Sequence, residues 1–423
     1  MTIAGSDSGG GAGIQADLKT MEAHGVFGTS AITAVTAQNT RGVHSSHVLP
    51  TGEIEAQIEA LFTDFEIGAA KTGMLATVEV IETVAGALSG REVPTVVDPV
   101  MVAATGDRLL EPEAERAYEA LLAETTLVTP NTDEAEVLTG IEPTDEESAI
   151  EAGEALVGMG ADAALVKGGH MPTEDVLDVL VTGGEIATYR HARIETDATH
   201  GSGCTLSAAI AARLARGESL SESVSRSLAF MERAVRYPVN AGRGSGSVHH
   251  LVALRDRAER ARTAEAVSGV VERFAELDLS PFVPEAGTDV VGATPYAETT
   301  SDTVGTALAR SGSDQRWDRG VRFGVANRTA EHLLLAREDE PTVRFASTIA
   351  PDERGEERLL ALEGSVVDLA GTPGRTPREL FDPGEIALAL FDRTGDEERI
   401  STVLAPDAET LVERVAVVLG ANR

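Results

Sequence analysis

Along the first 240 residues, short runs rich in β-branched residues alternate with longer stretches in which apolar residues return every three or four positions. The runs TIAG, SAITAVTAQ (30–38), GAAKTGM (68–74), PTVVDPVM (94–101), TLVTPN (126–131) and ALVKGG (164–169) predict strands. Between them, IQADLKTMEAHG and EIEAQIEALFTDF carry the helical period. This alternation predicts an α/β fold, a mostly parallel sheet flanked by helices on both faces. Ligands of such sheets collect beyond the carboxyl ends of the strands.

The pattern changes after the glycine- and serine-rich stretch NAGRGSGSVHH (240–250), where a long amphipathic helix, LVALRDRAERARTAEAVSGVVERFAELD, begins. From about residue 280, strand-like VRFGVAN, TVRFASTIA and EIALALFD mix with helical RTAEHLLLARE and DAETLVERVAVVL, predicting a smaller α+β domain. The expected domains are 1–251 and 252–423, with no internal repeat.

Composition narrows the class. No run approaches the 18 or so apolar residues of a membrane span, and the opening residues already read as a strand, so neither a membrane partner nor a leader is expected. A lone cysteine, Cys204, excludes an internal disulfide framework and fits a reducing, cytoplasmic compartment. The net charge of −34 leaves no basic footprint for nucleic acid. The only lysines are Lys19, Lys71 and Lys167, so 32 of the 35 basic residues are arginine. An acidic, lysine-poor surface suits a halophilic cytoplasm, where molar salt screens self-repulsion; an ordinary acidic protein from a GC-rich genome is the alternative.

Three glycine-rich elements carry candidate chemistry. Ser6–Gly13 follows the first strand and lets backbone approach a ligand, without the G-x-G-x-x-G spacing of a dinucleotide site. His200-Gly201-Ser202-Gly203-Cys204 precedes the helix TLSAAIAARLARG, and glycines at a helix N-terminus expose amides beside the positive dipole end. That makes Gly201, Ser202, Gly203 and Cys204 an expected anion hole for a transferring phosphoryl group. Lys167-Gly168-Gly169-His170 ends a strand, where a lysine acts as a point charge facing phosphates. No P-loop sequence is present. Asp98 and Glu134, also at strand ends, offer oxygen ligands for Mg²⁺, with helix capping the competing role for Asp133 and Glu134.

The ordered segments AGSDSGGGAGIQADLKT, TAQNTRGV, KTGML, VVDPVM, TPNTDEAEVLTG, KGGH and THGSGCTLSAAIAA closely resemble hydroxymethylpyrimidine/phosphomethylpyrimidine kinases of the ribokinase-like superfamily, through about residue 251. The resemblance implies phosphorylation by ATP and Mg²⁺ of 4-amino-5-hydroxymethyl-2-methylpyrimidine and then of its monophosphate, in a homodimer. Pyridoxal-type kinase activity is the alternative. It also implies that Gly5, Asp17, Gln38 and Met74 line the pyrimidine pocket and that Lys167, Gly168, Thr199 and His200 bind nucleotide. Where other ribokinase-like enzymes carry a basic aspartate, this chain has Cys204, whose thiol at a helix N-terminus is expected to have a lowered pKa and to act as base or orienting group.

Residues from about 255 onward are similar, more weakly, to a thiamine-phosphate synthase domain. That domain uses a histidine near its last loop, whereas the only histidine here after His250 is His332, in a predicted helix. Arg375, Arg378 and Arg393 are candidate phosphate ligands there. A sensor of thiamine phosphate or pyrimidine phosphate without catalysis, an active synthase and a structural or dimerising module all remain open for this domain, with thiamine phosphate or thiazole phosphate as its candidate ligands.

Overall fold

The computed structural model describes residues 1–102, 109–110, 117–277, 279–284, 287–311, 314–317, 320–362, 364–368, 387–392 and 400–420. Chain contacts divide into two units, Met1–Ala253 and Leu254–Arg423.

The first unit is built on a nine-stranded sheet. Its strands are β1 (Thr2–Asp7), β2 (Ser30–Asn39), β3 (Gly42–Val48), β4 (Ala70–Thr72), β5 (Thr95–Val97), β6 (Leu127–Val128), β7 (Ala163–Val166), β8 (Asp175–Thr182) and β9 (Ile186–Ala192). They lie in the order 3-2-1-4-5-6-7-8-9. Strands β2, β1, β4, β5, β6 and β7 pair in parallel, and antiparallel β3 and the β8–β9 hairpin finish the two edges. The expected mostly parallel α/β sheet is therefore present, with three antiparallel strands, β3, β8 and β9, beyond the predicted ones.

Helices α1 (Gly13–Ala23), α2 (Thr51–Asp64), α3 (Val78–Leu88), α4 (Tyr118–Leu122), α5 (Thr132–Thr139), α6 (Glu146–Gly158), α7 (Ser202–Ala215) and α8 (Leu220–Arg236) complete the unit. Ile54 and Ile58 of α2, Val80, Ile81 and Val84 of α3 and Leu121 and Leu122 of α4 pack with Ile3 and Val97 of the sheet in one core. Burying each such side chain contributes about 1.5–3 kcal/mol. Elsewhere small residues set the spacing: Ala208 and Ala212 of α7 pack with Met21 of α1. An alanine-rich surface lets α7 lie close to neighbouring elements, which fixes where its first turn ends up.

The second unit carries the long helix α9 (Val252–Glu276), whose first residues complete the first unit, with α10 (Arg328–Asp339), α11 (Glu353–Leu360) and α12 (Ala408–Leu419). Its strands are β10 (Thr288–Ala293), β11 (Thr303–Ser311), β12 (Asp314–Trp317), β13 (Arg322–Phe323), β14 (Phe345–Ile349), β15 (Ser365–Asp368), β16 (Ala387–Asp392) and β17 (Ile400–Ala405). They form one sheet, antiparallel except for β15–β16. One face packs on α9 and α12 through Val267, Phe274, Leu411 and Val415. The other packs on α10 through Ala330, Leu333 and Ala336.

Candidate active site

The carboxyl ends of β1, β4, β5 and β7 open onto a cavity of about 610 Å³ at the N-terminus of α7. Gly201 takes φ +80°, and a side-chain carbon there would lie 1.9 Å from the Gly11 carbonyl oxygen, so only glycine fits. The turn it makes starts α7 at Ser202 and aims the first-turn amides, including those of Gly203 and Cys204, at the cavity.

Lys167, just beyond β7, donates to Asp98 Oδ1 at 3.0 Å and lies 3.9 Å from Glu134 Oε2. Burial and the Asp98 charge push Glu134 up, to about 7, although Lys167 opposes the shift. Glu134 also closes a capping box on α5: its carboxylate accepts from the Asn131 amide at 2.8 Å while Asn131 Oδ1 accepts from the Glu134 amide. The capping role and the place facing Lys167 thus coexist in one side chain.

Gly5, Gln38, Met74, Thr199 and His200 all line the same cavity with Gly201–Cys204, Lys167, Asp98 and Glu134. Two expected members do not. Asp17 is fully buried below the cavity, accepting from Lys71 Nζ at 3.0 Å through both oxygens and from Thr2 Oγ1 at 2.6 Å. It is a support for Lys71, because a lysine in the centre of β4 needs a carboxylate beside it to stay charged out of water. Gly168 turns its amide to Asp178 Oδ1 at 2.9 Å, and a side-chain carbon there would meet the Leu177 carbonyl oxygen at 1.8 Å. Its role is close packing on β8, and it does not face the cavity.

The thiol expectation is also corrected. Burial pushes Cys204 up to about 11, with Lys71 pulling the other way and Asp17 and Asp98 adding to the rise. The helix end and one lysine do not overcome desolvation plus two carboxylates, so Cys204 is a neutral thiol near pH 7.

Several lining residues carried no separate signal in the sequence. Lys71 stood out only as one of three lysines. Leu228, Met231 and Val235 of α8, with Val176 and Ile194, give the cavity an apolar wall; read along the chain, they are indistinguishable from core. His250 braces the anion loop: its Nδ1 lies 2.9 Å from Thr205 Oγ1, which donates to the Gly201 carbonyl at 2.7 Å.

Burial lowers His250 from the ordinary 6.5 to about 4. Below pH 6.5 the unfolded chain takes up a proton that the folded chain refuses until about pH 4. Stability from this group is therefore complete above 6.5 and is lost as pH falls toward 4, by roughly 3 kcal/mol at 1.36 kcal/mol per unit. Thermal melts from pH 7.5 to 4.5 are expected to fall less steeply in His250→Gln than in the wild type; parallel curves would exclude this histidine as a source of acid lability.

In the second unit, His332 on α10 is buried, with Nδ1 2.7 Å from Thr402 Oγ1, and Thr402 pairs with Leu390 on β16. Folding thus carries an imidazole to the strand beside the expected histidine position, across some 60 residues of sequence. Burial lowers it to about 4, so it is neutral. Arg375, Arg378 and Arg393 lie outside the described residues.

Phosphoryl transfer is the chemistry that a glycine-built helix end, a buried lysine and two carboxylates around one cavity serve, and the sheet that holds them is that of the ribokinase-like kinases. The chain belongs to the phosphomethylpyrimidine kinase family, matched over residues 7–249. Residues 266–417 match the thiamine-phosphate synthase ThiN family. The hydroxymethylpyrimidine/phosphomethylpyrimidine kinase of Haemophilus influenzae is 48% identical over 256 residues, 59% of this chain and 95% of that protein. Among solved structures, the ADP complex of Bacillus subtilis pyridoxal kinase superposes with a TM-score of 0.56 at 36% identity, covering 60% of this chain and 97% of that one. Phosphomethylpyrimidine kinase from Clostridium difficile gives 0.50 at 41% identity, covering 55% and 97%.

Proposed function

We propose that the cavity transfers the γ-phosphoryl group of MgATP to the hydroxymethyl group of 4-amino-5-hydroxymethyl-2-methylpyrimidine, and then to the monophosphate so formed. The observation that carries this reading is the convergence of Gly201–Cys204, Lys167, Asp98 and Glu134 on one cavity that also holds Gln38 and Met74. Gln38 has both a donor and an acceptor for an aminopyrimidine edge. Its neighbours Gly5 and Met74 supply the flat apolar contact a ring needs, and the α8 wall suits adenine.

Among the described residues no three His, Cys, Asp or Glu side chains gather around one point as a metal cage. Two carboxylates nevertheless fit Mg²⁺, which keeps most of its waters and takes one or two protein oxygens plus nucleotide phosphates. Asp98 and Glu134 would hold it, and it would neutralise charge on the phosphate oxygens. Lys167 binds the same phosphates as a point charge, and the α7 amides receive the transferring group. Cys204, as a neutral thiol, orients the acceptor hydroxyl. In a loose phosphoryl transfer, positioning supplies most of the catalysis, so no strong base is required.

Full-length protein incubated with ATP, Mg²⁺ and the pyrimidine, followed by product analysis, tests the reading. Mono- and diphosphate in sequence are expected; phosphorylation of pyridoxal alone would replace it with the pyridoxal-kinase reading that the solved neighbours suggest.

The ThiN-type domain is read as a sensor of thiamine phosphate or thiazole phosphate with at most weak synthase activity, since its one imidazole is buried and neutral. With pyrimidine pyrophosphate, thiazole phosphate and Mg²⁺ in high salt, no steady formation of thiamine phosphate is expected. Sustained multiple turnover would overturn this assignment.

The charge of −34 with three lysines supports a halophilic, cytoplasmic setting. Melting temperature and activity are expected to rise together from 0.1 M toward molar KCl, as the Debye length shrinks from about 10 to about 3 Å and self-repulsion is screened. A melting point flat or falling with salt rules the setting out.

A further inference from the structure

Asp7 is a buried carboxylate, 3% exposed, that no step of the proposed transfer uses. It ends β1 and gathers the following loop onto itself: Oδ1 accepts from the Gly9 amide at 2.7 Å, and Oδ2 from the amides of Gly11 at 2.9 Å and Ala12 at 2.8 Å. The amides of this glycine-rich loop are thereby occupied by a resident carboxylate and do not face an external anion. Oδ2 has one further partner, His200 Nε2 at 3.3 Å.

His200 directly precedes Gly201, so this contact joins the loop after β1 to the anion loop. The two loops also interlock without side chains. A side-chain carbon at Gly11 would lie 2.5 Å from His200 Cδ2, and one at Gly201 would lie 1.9 Å from the Gly11 carbonyl oxygen. On its far side His200 is held through its carbonyl, which accepts from the Val248 amide at 3.2 Å.

The same imidazole nitrogen lies 3.5 Å from the Gln38 side-chain amide, whose other end is 3.2 Å from Thr36 Oγ1, a hydroxyl that donates to the Ser6 carbonyl at 2.8 Å. A carboxylate only accepts, so His200 Nε2–H must donate to Asp7. A donating Nε2 cannot also accept from the Gln38 amide. His200 therefore stays committed to Asp7 and does not accept from the Gln38 NH₂.

Resting on the transfer reading above, the geometry points to Asp7 and His200 as a positioning pair that holds the anion loop in register with the pyrimidine pocket. Asp7 fixes the imidazole, and the imidazole fixes the start of the Gly201 turn. The phosphoryl acceptor and the phosphoryl site are aligned through one carboxylate–imidazole contact.

His200→Phe keeps a ring in the space that Gly11 leaves but cannot donate, whereas His200→Gln retains a donor. In full-length protein, His200→Phe is expected to lower kcat for the pyrimidine by roughly 10- to 100-fold, the cost of a misplacement of about 1 Å. His200→Gln should recover most of the turnover. The loss in the Asp7→Ala/His200→Phe double variant should fall well short of the product of the two single losses, as for residues that act partly through one contact. Wild-type kcat in His200→Phe, or losses that multiply in the double variant, would overturn the pair.

A second readout does not depend on turnover. Cys204 is the sole cysteine, so iodoacetamide labelling reports on the anion loop. His200→Phe should change the labelling rate at least about threefold and His200→Gln should restore it; equal rates in all three proteins would also overturn the pair. If the wild type fails to phosphorylate the pyrimidine, the transfer reading falls and the labelling series still decides this one.

Discussion

Replacing Cys204 with alanine is expected to lower turnover of the pyrimidine roughly 10²- to 10³-fold, the worth of one oriented hydrogen-bonding group in a closed site. The side chain stands on the first turn of α7, at the proposed phosphoryl site, with its sulfur accepting from the Gly13 amide. Affinity for ATP is expected to change by less than about twofold, because the backbone amides of the anion loop are untouched. Cys204→Ser keeps a small polar group at the same point and should fall between the two. With the thiol pushed up to about 11, thiolate is scarce at neutral pH. An orienting thiol therefore predicts no Cys204 limb in the kcat profile between pH 7 and 9, whereas a thiolate base predicts a tenfold rise per unit over that range. A rise that disappears in Cys204→Ser would assign the base role instead.

How far the site was legible follows from what each residue does locally. Gly201, Gly203 and Cys204 announce themselves because a glycine-flanked helix start has few other uses, and Lys167 because lysine is rare in this chain. Asp17 misled because its ion pair with Lys71 links α1 to β4 across 54 residues, a pairing that neither segment reveals alone. The Cys204 shift has the same origin. The helix end is visible in the sequence, but the desolvation and the two carboxylates that outweigh it come from packing. Strand β9 escaped the strand reading because an exposed edge strand such as IATYRHA lacks the apolar run that marks central ones. In the second unit, the contact of His332 with Thr402 spans 70 residues and depends on α10 crossing the sheet.

Asp98→Asn is expected to be the most damaging single change, costing several kcal/mol of transition-state stabilisation, or roughly 10³-fold in kcat at 1.36 kcal/mol per decade. Asp98 is 2% exposed, with Oδ1 on Lys167 and Oδ2 3.5 Å from Ser207 Oγ, so an amide of equal size fits without repacking. Folding should survive. Lys167 keeps Glu134 at 3.9 Å, and removing the like charge of Asp98 lets the Glu134 carboxylate ionise more readily to take over the pairing. Two roles for Asp98 then separate cleanly. If it serves only to place Lys167, the loss in Asp98→Asn should match that in Lys167→Met, and the Mg²⁺ concentration for half-maximal rate should not move. If its carboxylate also holds the metal, as proposed, the loss should exceed that of Lys167→Met and the half-saturating Mg²⁺ should rise at least about tenfold, since one of only two protein oxygens has lost its charge. Measuring kcat at saturating ATP across an Mg²⁺ series in both variants decides the matter, and an unchanged Mg²⁺ requirement in Asp98→Asn would remove Asp98 from the metal site.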